Sequence, residues 1–231
     1  MRLQIQHTTQ FHYDAPPSYG LLQLRTAPQS SAAQTVHAWD ISLDGARQQA
    51  QFMDQHGNKI DLIEVLPDAQ LLEISVSGEV ETHSADGVLG RHHQSMPLWH
   101  YRQQTALTQL TEGLRDLADS IVLPSESTIS DLHSLSQLLR ERVTYAPGQT
   151  SVNTTAVDAL LNAKGVCQDH SHIFISVVRE KGFPARYVSG YLLMDDRTSQ
   201  DASHAWSEVY LDGLGWVGFD ISNGISPDER Y

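Results

Sequence analysis

The sequence predicts an α+β fold, with an antiparallel β module followed by a core that presents its reactive groups on one helix and one β-hairpin. Two observations predict it. Apolar residues alternate with period two from Leu3 to about Thr82, and from Leu107 onward they recur at helical spacing. The change of period divides the 231 residues into a β-rich domain, 1–97, and a helical lead-in with its core, 98–231.

In the first domain the alternating sets are Leu3/Ile5, Phe11/Tyr13, Trp39/Ile41/Leu43, Ile60/Leu62 with Ile63/Val65, and Leu72/Ile74/Val76/Val80. Turn signals separate them: Ala15-Pro16-Pro17-Ser18, Leu43-Asp44-Gly45 and His56-Gly57-Asn58. No chemical motif, internal repeat or low-complexity tract occurs there. Residues 84–97 hold Gly, Asp and His without a period and read as a linker. Beyond them Leu107, Leu110, Leu114, Leu117 and Ile121 predict one helix, and Leu132, Leu135, Leu138 and Leu139 after a cap-like Ser130 predict a second. A third starts at Thr155, with Asp158 at the N3 position of a capping-box arrangement, and stops at Lys164-Gly165.

Composition narrows the function classes. A net charge of −13, with three lysines among fifteen basic residues, argues against a phosphate-tracking surface, so nucleic acid is not an expected partner. No apolar run has the length of a bilayer span, and the opening residues alternate rather than resemble a signal peptide, so a cytoplasmic protein without membrane attachment is expected. A single cysteine rules out an internal disulfide. A lone cysteine is by itself most often a small buried apolar residue. The neighbours of Cys167 argue otherwise.

Cys167 opens a helix whose end is marked by Lys181, Gly182 and Pro184. At about 100° per residue, His170, Ser171, Phe174, Val177 and Val178 share its face, while Asp169, His172, Ser176, Arg179 and Glu180 fall on the opposite arc. The first turn of a helix presents free N–H groups and the positive end of the dipole, which stabilise a thiolate and can receive an oxyanion. A structural cysteine gains nothing from that address.

Downstream, 203–211 and 216–221 read as two strands joined by Asp212-Gly213-Leu214-Gly215. Ala205, Ser207, Val209 and Leu211 share one face, matched across the ladder by Val217, Phe219 and Ile221. His204, Trp206, Glu208 and Tyr210 then share the other face with Trp216, Gly218 and Asp220. This requires an odd-length or bulged loop, because a strict two-residue turn would put His204 and Asp220 on opposite faces. On a common face Asp220 can hold one imidazole nitrogen of His204 while the other meets the thiol.

Gly165-Val166-Cys167-Gln168-Asp169, Asp201-Ala202-Ser203-His204-Ala205-Trp206 and Gly215-Trp216-Val217-Gly218-Phe219-Asp220 resemble the three blocks of bacterial transglutaminase-like proteins, whose core is related to papain. Tyr145-Ala146-Pro147-Gly148-Gln149-Thr150 is similar to the segment that precedes the nucleophile helix in these proteins, and the β-rich first half resembles their amino-terminal module. The resemblance implies a papain/transglutaminase-like core acting on a peptide or protein substrate. It makes Cys167 the nucleophile, His204 the general base and acid and Asp220 the orienting carboxylate. Gln168, Tyr145 and Trp206 are secondary candidates on the oxyanion or substrate side. The chain departs from the family in three places. Ile221 stands where a proline is common, His170 where an aromatic such as Phe is expected, and the family continues into further strand beyond Ser226 to Tyr231, so the chain is expected to be C-terminally short.

Two other readings compete. A metal hydrolase would draw ligands from Cys167, His170 or His172, His204 and Asp220, but His170 and His172 diverge by about 200° on a helix and no second short-range ligand pair exists. No metal or cofactor is therefore expected. A catalytically inactive module for peptide binding or assembly is the alternative from another class. Glu208 reads as a solvated charge, and the remaining histidines as surface or packing residues.

Overall fold

The computed structural model describes residues 1–231 apart from 122, 124–127, 196 and 201. Asp201, which opens the second of the resembling blocks, lies outside the described residues. The chain forms two compact units, Met1–His83 with His93–Met96 and Ser84–His92 with Pro97–Tyr231.

The first unit contains β1 (Arg2–His12), β2 (Leu21–Leu24), β3 (Gln34–Asp44), β4 (Ala46–Met53), β5 (Lys59–Val65) and β6 (Leu71–Thr82). They form two three-stranded antiparallel sheets, ordered β1-β6-β3 and β2-β5-β4. Alternation builds the core as expected, since Leu72, Ile74, Val76 and Val80 of β6 are buried between more accessible neighbours. Periodicity gave no sign of β4. Its residues are almost all exposed, because it is an edge strand held by backbone pairing to β5, with Gln48 and Gln51 each donating to the buried Asp61 at 2.7 Å.

In the second unit the chain runs through β7 (Val88–Gly90), α1 (Glu112–Asp119), α2 (Ile129–Arg142), β8 (Thr144–Tyr145), α3 (Ala156–Asn162) and β9 (Lys164–Gly165). It continues through α4 (Cys167–Glu180), β10 (Ala185–Gly190), β11 (His204–Leu211) and β12 (Gly215–Phe219). The sheet is antiparallel, ordered β10-β11-β12-β7. Part of the expected linker is thus a strand, too short at three residues to show a period.

The helices correct the sequence reading in detail. Leu107 and Leu110 precede α1, for Thr105 and Thr108 close a side-chain-bonded turn and the Leu107 carbonyl accepts the Ala156 N–H. The cap of α2 is Thr128, in a capping box with Asp131, and Ser130 lies inside the helix. The Thr155/Asp158 box caps α3 as expected, and the left-handed residue that ends this helix is Ala163, with φ 51°.

Helix α4 is buried nearly all round, from Cys167 to Val178, with Gln168 the exception. The wheel put Asp169, His172 and Ser176 on an arc of their own, yet they too are buried. The reason is that α4 is central: one core joins its Ile173, Phe174 and Val177 to Leu114, Leu132, Leu135 and Leu139 of the helices and to Val209, Val217 and Phe219 of the sheet. Phe174 is fully buried with its ring 5.5 Å from that of Phe219. Replacing it with alanine is expected to cost about 3–5 kcal/mol, read as a lower urea midpoint.

Candidate active site

The start of α4 is held from three directions. Strands β8 and β9 pair in parallel, with Tyr145 opposite Gly165, the residue two before Cys167. Asp169 Oδ2 accepts the Val166 N–H at 2.8 Å and the Thr150 hydroxyl at 2.7 Å, closing the first turn on the preceding loop. His170 bridges α4 to two other segments, through Nε2 to the Val143 carbonyl at 2.9 Å and Nδ1 to the Ser222 hydroxyl at 2.8 Å. An aromatic hydrocarbon at 170 could make neither bond. Both ring nitrogens of His170 are thereby occupied, which leaves it no free ligand atom for the metal reading, and His172 packs against Tyr187 at 5.2 Å between ring centres.

The hairpin has the odd loop that the shared face requires. Leu211 pairs with Gly215 around the three residues 212–214, and Glu208 pairs with Gly218. Gly213 takes φ 84°, the left-handed conformation that three-residue hairpin loops use. Even positions therefore face even positions, and Asp220, one residue past β12, comes to the His204 side. His204 Nε2 donates to Asp220 Oδ2 at 2.6 Å. Cys167 neighbours the same ring, with Nδ1 the nitrogen left to face it.

Asp220 has no solvent exposure. Its Oδ2 also accepts from Asn223 Nδ2 at 2.7 Å and from the Tyr231 hydroxyl at 2.6 Å, and its Oδ1 from the Asn223 N–H at 3.1 Å. Burial alone would raise this carboxyl, but His204, Tyr231 and Asn223 hold it below the usual carboxylate range. For His204 burial works downward, and Asp220 with Cys167 outweighs it, so the ring is pushed up to about 9. The Tyr187 phenol, packed against His172, is pushed up to about 12 by burial, with Cys167 and Asp169 adding to the shift. The Tyr145 phenol is raised by burial and by Cys167 and Asp220.

Of the secondary candidates, Tyr145 and Trp206 flank the site and Gln168 turns away. The Gln168 side chain reaches toward the carbonyls of Val152 at 3.3 Å and Ser151 at 3.5 Å. Trp206 stacks beside His204, centroids 6.4 Å apart. It can lie there because Gly190, the β10 partner of His204, has no side chain, and a Cβ there would come within 2.7 Å of the indole. Glu208 is buried, not solvated, and pairs at 2.6 Å with Arg186, whose guanidinium lies 4.2 Å over Trp216. Sequence reading missed Tyr231, Asn223, Thr150 and Tyr187. Thr150 ends the quoted segment before the helix without a role there and Asn223 lies just past the third block, whereas Tyr231 and Tyr187 carry no local signal.

Comparison with known proteins agrees with this architecture. The family profile described as the transglutaminase-like superfamily matches residues 115–221, and that of the bacterial transglutaminase-like N-terminal region matches residues 3–81. Residues 115–221 thus form a transglutaminase-like core behind a bacterial transglutaminase-like N-terminal region. An uncharacterized protein of Mycobacterium leprae is 28% identical to this chain, over 100% of the chain and 86% of the relative. An uncharacterized Mycobacterium tuberculosis protein is 26% identical, over 100% and 81%. Among solved structures, a Cytophaga hutchinsonii protein named as a candidate cysteine protease superposes with a TM-score of 0.74 at 18% identity, covering 100% of this chain and 83% of that one. At that identity the likeness is one of fold.

The raised ring has a consequence for stability. A histidine whose pKa is higher in the folded than in the unfolded chain stabilises the fold fully below its ordinary value of 6.5, and the contribution is lost as pH rises through about 9. The urea midpoint of the native chain is therefore expected to fall across that window, and that of His204→Gln to fall less, both measured at matched ionic strength.

Proposed function

We propose that the protein is a cysteine-dependent acyltransferase acting on amide bonds of peptide-like substrates, with Cys167 as nucleophile, His204 as general base and acid, and Asp220 as orienting carboxylate. One observation carries this reading: His204 is fixed at 2.6 Å to a fully buried carboxylate on one side, and on the other faces the only cysteine, at the first turn of a helix. A ring that holds its proton up to about pH 9 is an imidazolium at neutral pH, placed to give that proton to a leaving group.

The steps follow from that charge state. The Cys167 sulfur attacks the carbonyl carbon, the π electrons move to oxygen, and the first-turn N–H groups of α4 receive the oxyanion. Collapse breaks the C–N bond, and His204 gives its proton to the departing amine, leaving an acyl-thioester. The neutral ring then takes a proton from the acceptor as it attacks, and the thiolate is expelled. Water as acceptor makes the enzyme a protease or amidase, and an amine makes it a transglutaminase. Tyr145 and Trp206 would flank the bound substrate.

Incubation with a glutamine-containing peptide library, with and without an amine acceptor, is expected to yield an acyl adduct on Cys167 by intact mass, and the product mass identifies the acceptor. Cys167→Ala and His204→Ala should abolish turnover, while Asp220→Asn should lower kcat by about 10⁴-fold without erasing it. Turnover surviving in Cys167→Ala would end the nucleophile assignment. Iodoacetamide at pH 6 should alkylate Cys167 far faster than free cysteine. Slow alkylation there would favour the inactive binding or assembly module.

A further inference from the structure

We propose that Tyr231 is a positioning residue of this site: its hydroxyl, acting with Asn223, holds the Asp220 carboxylate in the orientation that keeps the His204 ring between Asp220 and Cys167. The proposal rests on the acyl-transfer reading and adds to it a residue with no signal in the sequence.

The geometry is specific. Asp220 Oδ2 accepts three hydrogen bonds, from His204 at 2.6 Å, Tyr231 at 2.6 Å and Asn223 at 2.7 Å. The Asn223 amide also reaches the Tyr231 oxygen at 3.4 Å, so the two donors brace each other. A carboxylate held by His204 alone could turn about its last torsion and carry the ring with it. With both oxygens occupied, the buried carboxylate cannot turn without losing charge-assisted bonds. The tyrosine ring adds a wall, 5.9 Å from the His204 ring and edge-on to Trp206 at 5.4 Å.

The backbone around Tyr231 is itself anchored. The Arg230 carbonyl accepts the Leu193 N–H at 2.8 Å, the Tyr231 N–H reaches the Asp228 carbonyl at 3.2 Å, and the Arg230 guanidinium pairs with Asp228 at 2.6 Å. The other ionisable or charged groups facing the pair are Cys167 and His170 on α4 and Tyr145 on β8, with Arg140 of α2 directed at the Asn223 carbonyl. Tyr145 and His170 act on Asp220 through space, whereas Tyr231 and Asn223 bind it directly.

The chemical consequence has a definite sign. Removing the Tyr231 hydroxyl takes a donor from a buried anion, so the carboxylate is protonated more readily as pH falls. A neutral Asp220 no longer balances the imidazolium, and the proton returns to sulfur. The test is the rate of Cys167 alkylation by iodoacetamide against pH, followed by intact mass, for the native chain, Tyr231→Phe and Asn223→Ala, each with its thermal unfolding curve. Tyr231→Phe keeps the ring and deletes only the donor. Its acid limb should move up by about one pH unit, a loss of about tenfold in rate on that limb, with the plateau near pH 8 kept. Asn223→Ala should shift the limb in the same direction, and carries the test should Tyr231→Phe not fold. A limb that stays where the native one lies, whether the rate is unchanged or lowered at every pH, overturns the role of Tyr231. A native chain alkylated no faster than free cysteine overturns the acyl-transfer reading instead, and this proposal with it.

Discussion

A carboxylate without solvent exposure, one residue past the end of β12, sets the terms for the second unit. An ionised Asp220 in that position needs every donor it can find, because a buried charge left short of partners costs several kcal/mol. The donors come from three segments: His204 at the start of β11, Asn223 in the turn after β12 and Tyr231 beyond it. Satisfying one anion thus fixes the mouth of the hairpin, the turn after β12 and the segment beyond, around the His204 ring that Cys167 neighbours.

The second constraint is the complete burial of α4. Packed by helices on one side and by the sheet on the other, it has no solvent face to turn toward water, so its rotation is set and Cys167 with it. Three of its buried polar side chains are held by named partners: Asp169 by Val166 and Thr150, His170 by Val143 and Ser222, Ser176 by the Thr108 carbonyl at 2.8 Å. His170 links the two constraints. It ties α4 to Ser222, two residues beyond Asp220, so the helix that carries Cys167 and the turn that carries the carboxylate are joined by a hydrogen bond.

Legibility followed the range of the interaction that decides each feature. The hairpin was readable because side-chain alternation is a local rule, and it required an odd loop before any coordinate was known. The Thr155 cap was readable for the same reason. Strand β4 was not, since an exposed edge strand depends on its neighbour's backbone and leaves no apolar pattern of its own. The buried arc of α4 was misread because a helical wheel assumes one wet side, and the sheet packed against α4 removes it. Glu208 looked like a solvated charge until Arg186, 22 residues away in sequence, was seen to cover it.

What the sequence determined by itself was the change from strands to helices, Cys167 at a helix start, and the parity that brings His204 to the face of Asp220. Each of these depends on spacing within one element or one hairpin. Only the tertiary structure decided that Gln168 turns toward Ser151 and Val152, that His170 is a brace, and that Tyr231 completes the shell around Asp220. These are contacts between segments far apart in the chain, where which group meets a buried polar atom is set by how the core closes and not by any periodicity along the chain.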